Sequence, residues 1–188
     1  MTEKIIESIN ATVTDICNGI NLPDRKGIYA FFVKDCHDLG KFGIPSQLIY
    51  VGISKDSLLV RDINTHLASG QTGWSTFRRS LGAVLKQRLN LIAQKRDKNP
   101  RKLRADKYKF DDAGEQRLTA WMIKNLKMGF WPAENHMTKE ELRIEEEKVI
   151  IKLKPTLDLD KRTRHLNPLW HELDKLREIC RNELKSNL

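Results

Sequence analysis

The sequence predicts an α+β fold, a small three-stranded, mainly antiparallel sheet flanked by helices. Two runs, Lys26–Val33 (KGIYAFFV) and Gln47–Ser54 (QLIYVGIS), are rich in β-branched and aromatic residues and bounded by turn formers. The span between them, Lys34–Ser46, is polar and carries Gly40, Gly43 and Pro45, which suits a long hairpin-type connection. Most of the remaining chain repeats its apolar residues at three- and four-residue steps, the period of a helix packed on one face.

Taken in order, residues 2–19 read as a helix with Ile5, Ile9, Val13 and Ile16 on one stripe and Gly19 as its stop. The two strands follow. Ser57–Ser69 reads as a short helix carrying Arg61 and His66. After Gly70-Gln71-Thr72-Gly73, Ser75 is the expected N-cap of a helix reaching about Ala93, with Phe77, Leu81, Val84, Leu85, Leu89 and Ile92 buried. Lys95–Lys109 reads as a basic loop around Pro100. Asp112 opens a helix whose core face is Leu118, Trp121, Met122 and Leu126, and Lys127–Pro132 is the third strand. Thr138-Lys139-Glu140-Glu141 is a capping-box pattern, starting a helix that stops before Pro155. A last helix, residues 167–184, carries Trp170, Leu173, Leu176, Ile179 and Cys180 on one face. The expectation is one domain over residues 1–188, with no internal repeat.

Composition narrows the function. No apolar run approaches the ~20 residues of a membrane span. Met1–Ile6 has no signal-peptide pattern, and the three cysteines have no paired spacing. These point to a reducing, cytoplasmic setting. The formal charge is +9, and between Arg78 and Lys109 twelve Lys or Arg stand against two Asp. A positive excess concentrated in one segment is the footprint of a polyphosphate partner, although lysines spread on a solvated helix and loop give the same count. Ser75, Arg78 and Arg79 at a helix start, with Lys86 and Lys102 beyond, form the expected nucleic-acid backbone contact: free N–H groups, a positive dipole end and guanidinium forks.

Two of the three tyrosines, Tyr29 and Tyr50, lie in the strand runs beside glycine. They are ordinary sheet residues, or they face a site, since a buried phenol must find a partner. Arg61 reads as a surface ion pair with Asp62 or Asp56, and His66 as a helix-end histidine, or both belong to that site. Glu146 shares the stripe of Leu142, Val149, Ile150 and Leu153, while Glu145 and Glu147 are expected to point elsewhere. A carboxylate in line with core residues needs an arginine, a metal or a site opening as partner.

Gly27-Ile28-Tyr29, Tyr50-Val51-Gly52, Arg61, His66 and the distant Glu146, in this order, resemble the GIY-YIG nuclease superfamily. Its members cleave DNA as homing endonucleases, restriction enzymes and excision-repair nucleases. The stretch Arg61-Asp62, Thr65-His66, Thr72-Gly73 and Ser75–Leu81 also resembles a bacterial branch of it. The resemblance runs from about Gly27 to Asp158, and Glu146-x-x-Val149-Ile150 and Lys154-Pro155-Thr156-Leu157 match its later motifs. Two positions depart from the pattern. Arg61 and His66 are five residues apart where well-known members use four, and Asp158 stands where Asn is usual.

The resemblance implies a metal-dependent DNA endonuclease. Glu146 would hold one Mg²⁺ or Mn²⁺, Arg61 would clamp the scissile phosphate, and Tyr29 would act as general base with Tyr50 and His66 assisting. The sequence leaves two other readings open: a module of the same fold that binds nucleic acid without cutting it, and a basic α/β protein-interaction domain. It shows no zinc finger or helix-turn-helix, and it leaves the target, the number of strands cut and the oligomeric state open, a dimer included.

Overall fold

The computed structural model describes residues 1–61, 65–96 and 107–186, and the side chains of all of these except 61, 185 and 186. The expected contact Lys102, most of the expected basic loop and the side chain of Arg61 lie outside the described residues.

The sheet is α+β in character, as expected, and gains a strand. Strands β1 (Thr14–Asp15), β2 (Gly27–Val33), β3 (Leu48–Ser54) and β6 (Leu126–Pro132) lie in the order β1-β6-β2-β3, every pair antiparallel. The hairpin β2–β3 places Tyr29 opposite Gly52 and Phe31 opposite Tyr50. A second, two-stranded ribbon joins β4 (Ala93–Lys95) to β5 (Tyr108–Phe110). Its strands flank the region expected to be loop. Tyr108 and Phe110 are buried and Lys109 between them is half-buried, the period of two that a strand imposes.

Helices cover both faces of the sheet, which is why every residue of β2 is buried. On one face, α1 (Thr2–Ala11) and α5 (Lys139–Leu153) meet Ile28, Ala30, Phe32 and Val51. On the other, α3 (Thr76–Val84), α4 (Asp112–Asn125) and α6 (Trp170–Ser186) pack with Tyr29, Phe31, Val33 and Tyr50. Alternate β2 residues therefore belong to different cores. Helix α2 (Leu58–Arg61) is short.

Helix boundaries differ from expectation where side chains compete with the helix. The first helix ends at Ala11 rather than running to Gly19. Thr12 Oγ1 donates to a carbonyl, Phe130 O at 2.8 Å, and accepts from Phe130 N at 2.8 Å, docking the chain onto β6 so that Thr14 and Asp15 pair there as β1. Helix α3 ends at Val84, not Ala93. The chain then coils loosely and reverses at Asn90, whose φ of 48° suits asparagine. By contrast α5 starts as the sequence predicts. Thr138 Oγ1 accepts from Glu141 N at 3.2 Å, and Glu141 Oε2 accepts from Thr138 N at 2.7 Å.

Past α5 the chain runs along the open edge of β3, where Leu157 N donates to Ile49 O at 2.8 Å. This covers an edge that would otherwise present unpaired backbone groups. It also carries residues 158–162 to the end of the hairpin.

Candidate active site

An open cleft of about 540 Å³ lies at the β3 edge. Tyr29, Tyr50 and Gly52 form its sheet wall, the chain from Ile53 to Ser57 its rim, and Arg143, Glu146 and Asp160 its opposite side. Tyr29, Tyr50 and Glu146, far apart in sequence, thus meet around one space.

Antiparallel register explains the tyrosine wall. Residues directly opposite in the hairpin share a face, so the Tyr29–Gly52 and Phe31–Tyr50 pairs stack four positions on one side of the sheet. The Tyr29 ring lies across Gly52: a Cβ at Gly52 would stand 2.5 Å from the Tyr29 hydroxyl oxygen and 3.0 Å from Tyr50 Cε1. Gly27 has an equally local reason, since a Cβ there would stand 2.3 Å from Trp131 O on the neighbouring strand. The glycines of both tripeptides are thus required by close approach.

Tyr29 is fastened from behind. Its hydroxyl lies 2.6 Å from His66 Nε2, and His66 Nδ1 lies 2.7 Å from Ser75 Oγ. Ser75 Oγ in turn accepts from Arg78 N at 3.0 Å, as N-cap of α3. His66 is fully buried, among Phe31, Phe77 and Tyr50. Phe31 and Phe77 stack at 4.3 Å and 6°, a flat base under this ring cluster. The Tyr29 hydroxyl and the His66 ring are thus close enough to share a proton. Thr65 and His66 adopt a π-type turn, in which the repeat is five residues rather than four.

Glu146 faces the cleft from α5 and is 8% exposed. Burial pushes its carboxyl up to about 7, against the pull of Arg162, whose Nη2 stands 3.2 Å from Glu146 Oε2. Asp158, buried in the segment after α5, is also pushed up to about 7 by burial, against a hydrogen bond from Asp160 N. Burial acts on Asp160 too, yet the bond from Arg162 outweighs it and holds that carboxyl low. The Arg162 guanidinium is an acid-binding hub. It donates to Asp160 Oδ1 (2.9 Å), Asp160 Oδ2 (3.0 Å), Glu147 (2.9 Å) and Glu146 (3.2 Å). Glu145 points away from Glu146, toward α1, as expected. It is 8% exposed, accepting from Thr2 Oγ1 at 2.9 Å and Lys148 Nζ at 2.7 Å, and so anchors α1 to α5.

The donor set suits one kind of metal. Among the described residues, no group of three or more His, Cys, Asp or Glu could cage an ion. A single buried carboxylate beside an open cleft fits a hard divalent ion that keeps most of its water, as Mg²⁺ does. It does not fit a tetrahedral zinc site.

The expected phosphate seat at the start of α3 is not on the surface. Arg78 is fully buried, Arg79 is 6% exposed and Ser75 is fully buried. Arg78 Nη2 bonds Glu115 Oε2 at 2.8 Å and Thr119 Oγ1 at 3.0 Å, while its Nε reaches Thr72 Oγ1 and its Nη1 reaches His66 O. Burial lowers the Arg78 pKa and the Glu115 charge opposes that shift. Arg79 binds the carbonyls of Thr72 and Gly73. These arginines hold the loop before α3 and the backbone of His66, which is structural work. Lys86 is half-buried, paired with Glu183 at 2.7 Å and donating to Leu91 O. The burial follows from α3 being enclosed on all sides by α4, α6 and the ribbon, which amphipathic periodicity did not signal. Residues the sequence reading missed are Lys55, Arg143, Asp160 and Arg162. Arg143 was accessible to it, one helical turn before Glu146. Nothing local marks Arg162.

The model of the GIY-YIG catalytic domain family matches residues 27–179. No curated protein and no solved structure is significantly similar to the chain. The match takes in both tripeptides, His66 and Glu146 and covers most of the sequence, so the chain belongs to the GIY-YIG catalytic domain family, a family of nucleases.

Proposed function

We propose that the protein is a metal-dependent DNA endonuclease that hydrolyses phosphodiester bonds in the cleft at the β3 edge. The observation that carries this is the meeting of a Tyr29–His66–Ser75 hydrogen-bond chain and a buried Glu146 carboxylate around one open space. A phosphodiester fits between them. Tyr29, with His66 as proton acceptor behind it, orients the attacking water and takes its proton. The phenol passes its own proton to His66 Nε2, whose ring Ser75 fixes through Nδ1, while the water oxygen bonds to phosphorus, the P–O3′ bond breaks and the 3′ oxygen leaves, taking a proton from solvent. Tyr50 packs beside Tyr29 at 6.3 Å between ring centres and excludes water from the far side of the phenol. Arg61 is assigned to the non-bridging oxygens by its place in the family pattern. Lys55 and Arg143, exposed at the cleft, extend positive charge to the flanking phosphates. Glu146 would hold one Mg²⁺ or Mn²⁺, which when bound supplies Lewis-acid stabilisation of charge on the phosphate.

A second reading has one observation in its favour. Arg162 already occupies one oxygen of Glu146, as it would in a module that binds DNA without cutting it.

Supercoiled plasmid with Mg²⁺ or Mn²⁺, with and without EDTA, separates the two. The wild type is expected to nick in a metal-dependent way, and Tyr29→Phe to nick at least ~10²-fold more slowly at unchanged DNA affinity. Full activity in Tyr29→Phe would remove the base assignment. Salt-sensitive binding without nicking by the wild type would establish the binding module.

A further inference from the structure

Trp74 is 62% exposed, the most exposed large hydrophobic side chain among the described residues. It is displayed on a braced loop. Trp74 N and Ser75 N both donate to Gln71 O, at 3.0 and 3.1 Å, closing a turn. The buried Arg79 grips the same turn from inside, through Gly73 O at 2.9 Å. Arg96, from the end of β4, lies over the indole with its guanidinium carbon 4.2 Å from the ring centre. Its stem crosses Gly73, where a Cβ would stand 2.4 Å from Arg96 Cγ, so only glycine leaves it room. The arrangement is a rigid aromatic ring, backed by a cation and open to solvent. The residue after Trp74 is Ser75, which anchors His66 and through it Tyr29.

A single exposed aromatic is ordinary on a protein surface, but this one is held by a braced turn and carries a guanidinium over its ring. The Arg96 guanidinium on the ring and the chain's formal charge of +9 favour a polyanion as occupant. An indole backed by guanidinium is the chemistry that holds unstacked nucleobases. The π-face of any base stacks on the ring, and the cation serves both the stack and the adjoining phosphate. Intact duplex offers no free base face, so such a platform distinguishes DNA with an unpaired stretch from continuous duplex.

We propose that Trp74 and Arg96 form a base-stacking platform that takes an unpaired nucleobase of the DNA substrate. The platform gives the protein a preference for forked or single-strand-containing DNA. The proposal rests on the nuclease reading above, in that it takes DNA as the substrate.

The test measures, in EDTA, the affinities of wild type, Trp74→Ala and Trp74→Phe for a labelled duplex and for a fork of the same sequence with single-stranded arms. Metal-dependent nicking by the wild type and by Glu146→Ala is scored in parallel. The wild type is expected to favour the fork. Trp74→Ala should lose on the order of tenfold in fork affinity while duplex affinity stays within about twofold, and Trp74→Phe should keep most of the preference. Thermal melts of the two variants should match the wild type, since the ring is exposed. Glu146-dependent nicking with an unchanged fork preference in Trp74→Ala, with equal losses on both DNAs, or with no wild-type preference at all, overturns the platform and leaves the nuclease standing. Absence of both nicking and DNA binding in the wild type overturns both.

Discussion

Replacing Glu115 by glutamine removes the carboxylate that faces the Arg78 guanidinium inside the protein. The two side chains are 0% and 1% exposed and meet at 2.8 Å. Breaking a buried pair by deleting one charge costs about 3–5 kcal/mol, because the remaining ion is left uncompensated away from water. Glutamine keeps the shape and one oxygen, which can still accept from Thr72, Arg78 or Phe110 N, so the lower end applies, about 3 kcal/mol. For a chain of this length that is a fall in Tm of roughly 6–12 °C. Urea denaturation followed by circular dichroism measures it as a lower midpoint at unchanged slope. The double variant Arg78→Met with Glu115→Leu should lie closer to wild type than Glu115→Gln, since it removes both charges and fills the space. Arg78 Nη1 also holds His66 O at 2.9 Å, so nicking by Glu115→Gln should fall even at temperatures where it is folded. A cost below about 1 kcal/mol would refute the reasoning. Arg78 would then not be locked to Glu115 and would be available to DNA, as its sequence position first suggests.

Three further outcomes follow from the site. Gly52→Ala drives a methyl into the Tyr29 hydroxyl and the Tyr50 ring, and should abolish most nicking while costing far less stability than Glu115→Gln, checked by plasmid nicking and a thermal melt. The metal-free protein should lose stability as pH rises from about 5 to 8. Glu146 and Asp158 keep their protons up to about 7 when folded, whereas unfolded carboxyls release them near ~4, so the folded state binds more protons in that window and its advantage disappears through it. Urea midpoints at several pH values read this, Glu146→Gln should flatten the slope, and a rising profile would contradict it. Arg162→Ala should raise Mn²⁺ affinity at pH 8, read by Mn²⁺ paramagnetic resonance, because it removes a cation that competes for Glu146 Oε2; weaker binding would show that Arg162 orients the carboxylate instead.

Much of the fold was legible where one side chain type decides the local structure. The capping box at Thr138 and the stop before Pro155 place α5, and the stripe through Leu142, Val149 and Ile150 turns Glu146 inward. The hairpin and the third strand were legible from their β-branched and aromatic runs. The errors lie where tertiary contacts override period. Thr12 bonds Phe130 and ends α1 early, and the partners that bury Arg78 come from three other parts of the chain. A charged helix start reads the same in sequence whether it faces phosphate or a buried glutamate. Arg162 was invisible because its role depends on how the segment after α5 lies along β3, held by the bond from Leu157 N to Ile49 O.

The most direct test of the account is metal-dependent nicking by the wild type beside Glu146→Gln, with DNA affinity measured for both. Glutamine keeps the size of the side chain and removes the charge that would hold a divalent ion. The account predicts nicking by the wild type in Mg²⁺ or Mn²⁺, loss of it in Glu146→Gln and in EDTA, and DNA binding retained by the variant. Nicking by Glu146→Gln at the wild-type rate, or a wild type that binds DNA and leaves it intact under every metal condition, would contradict it.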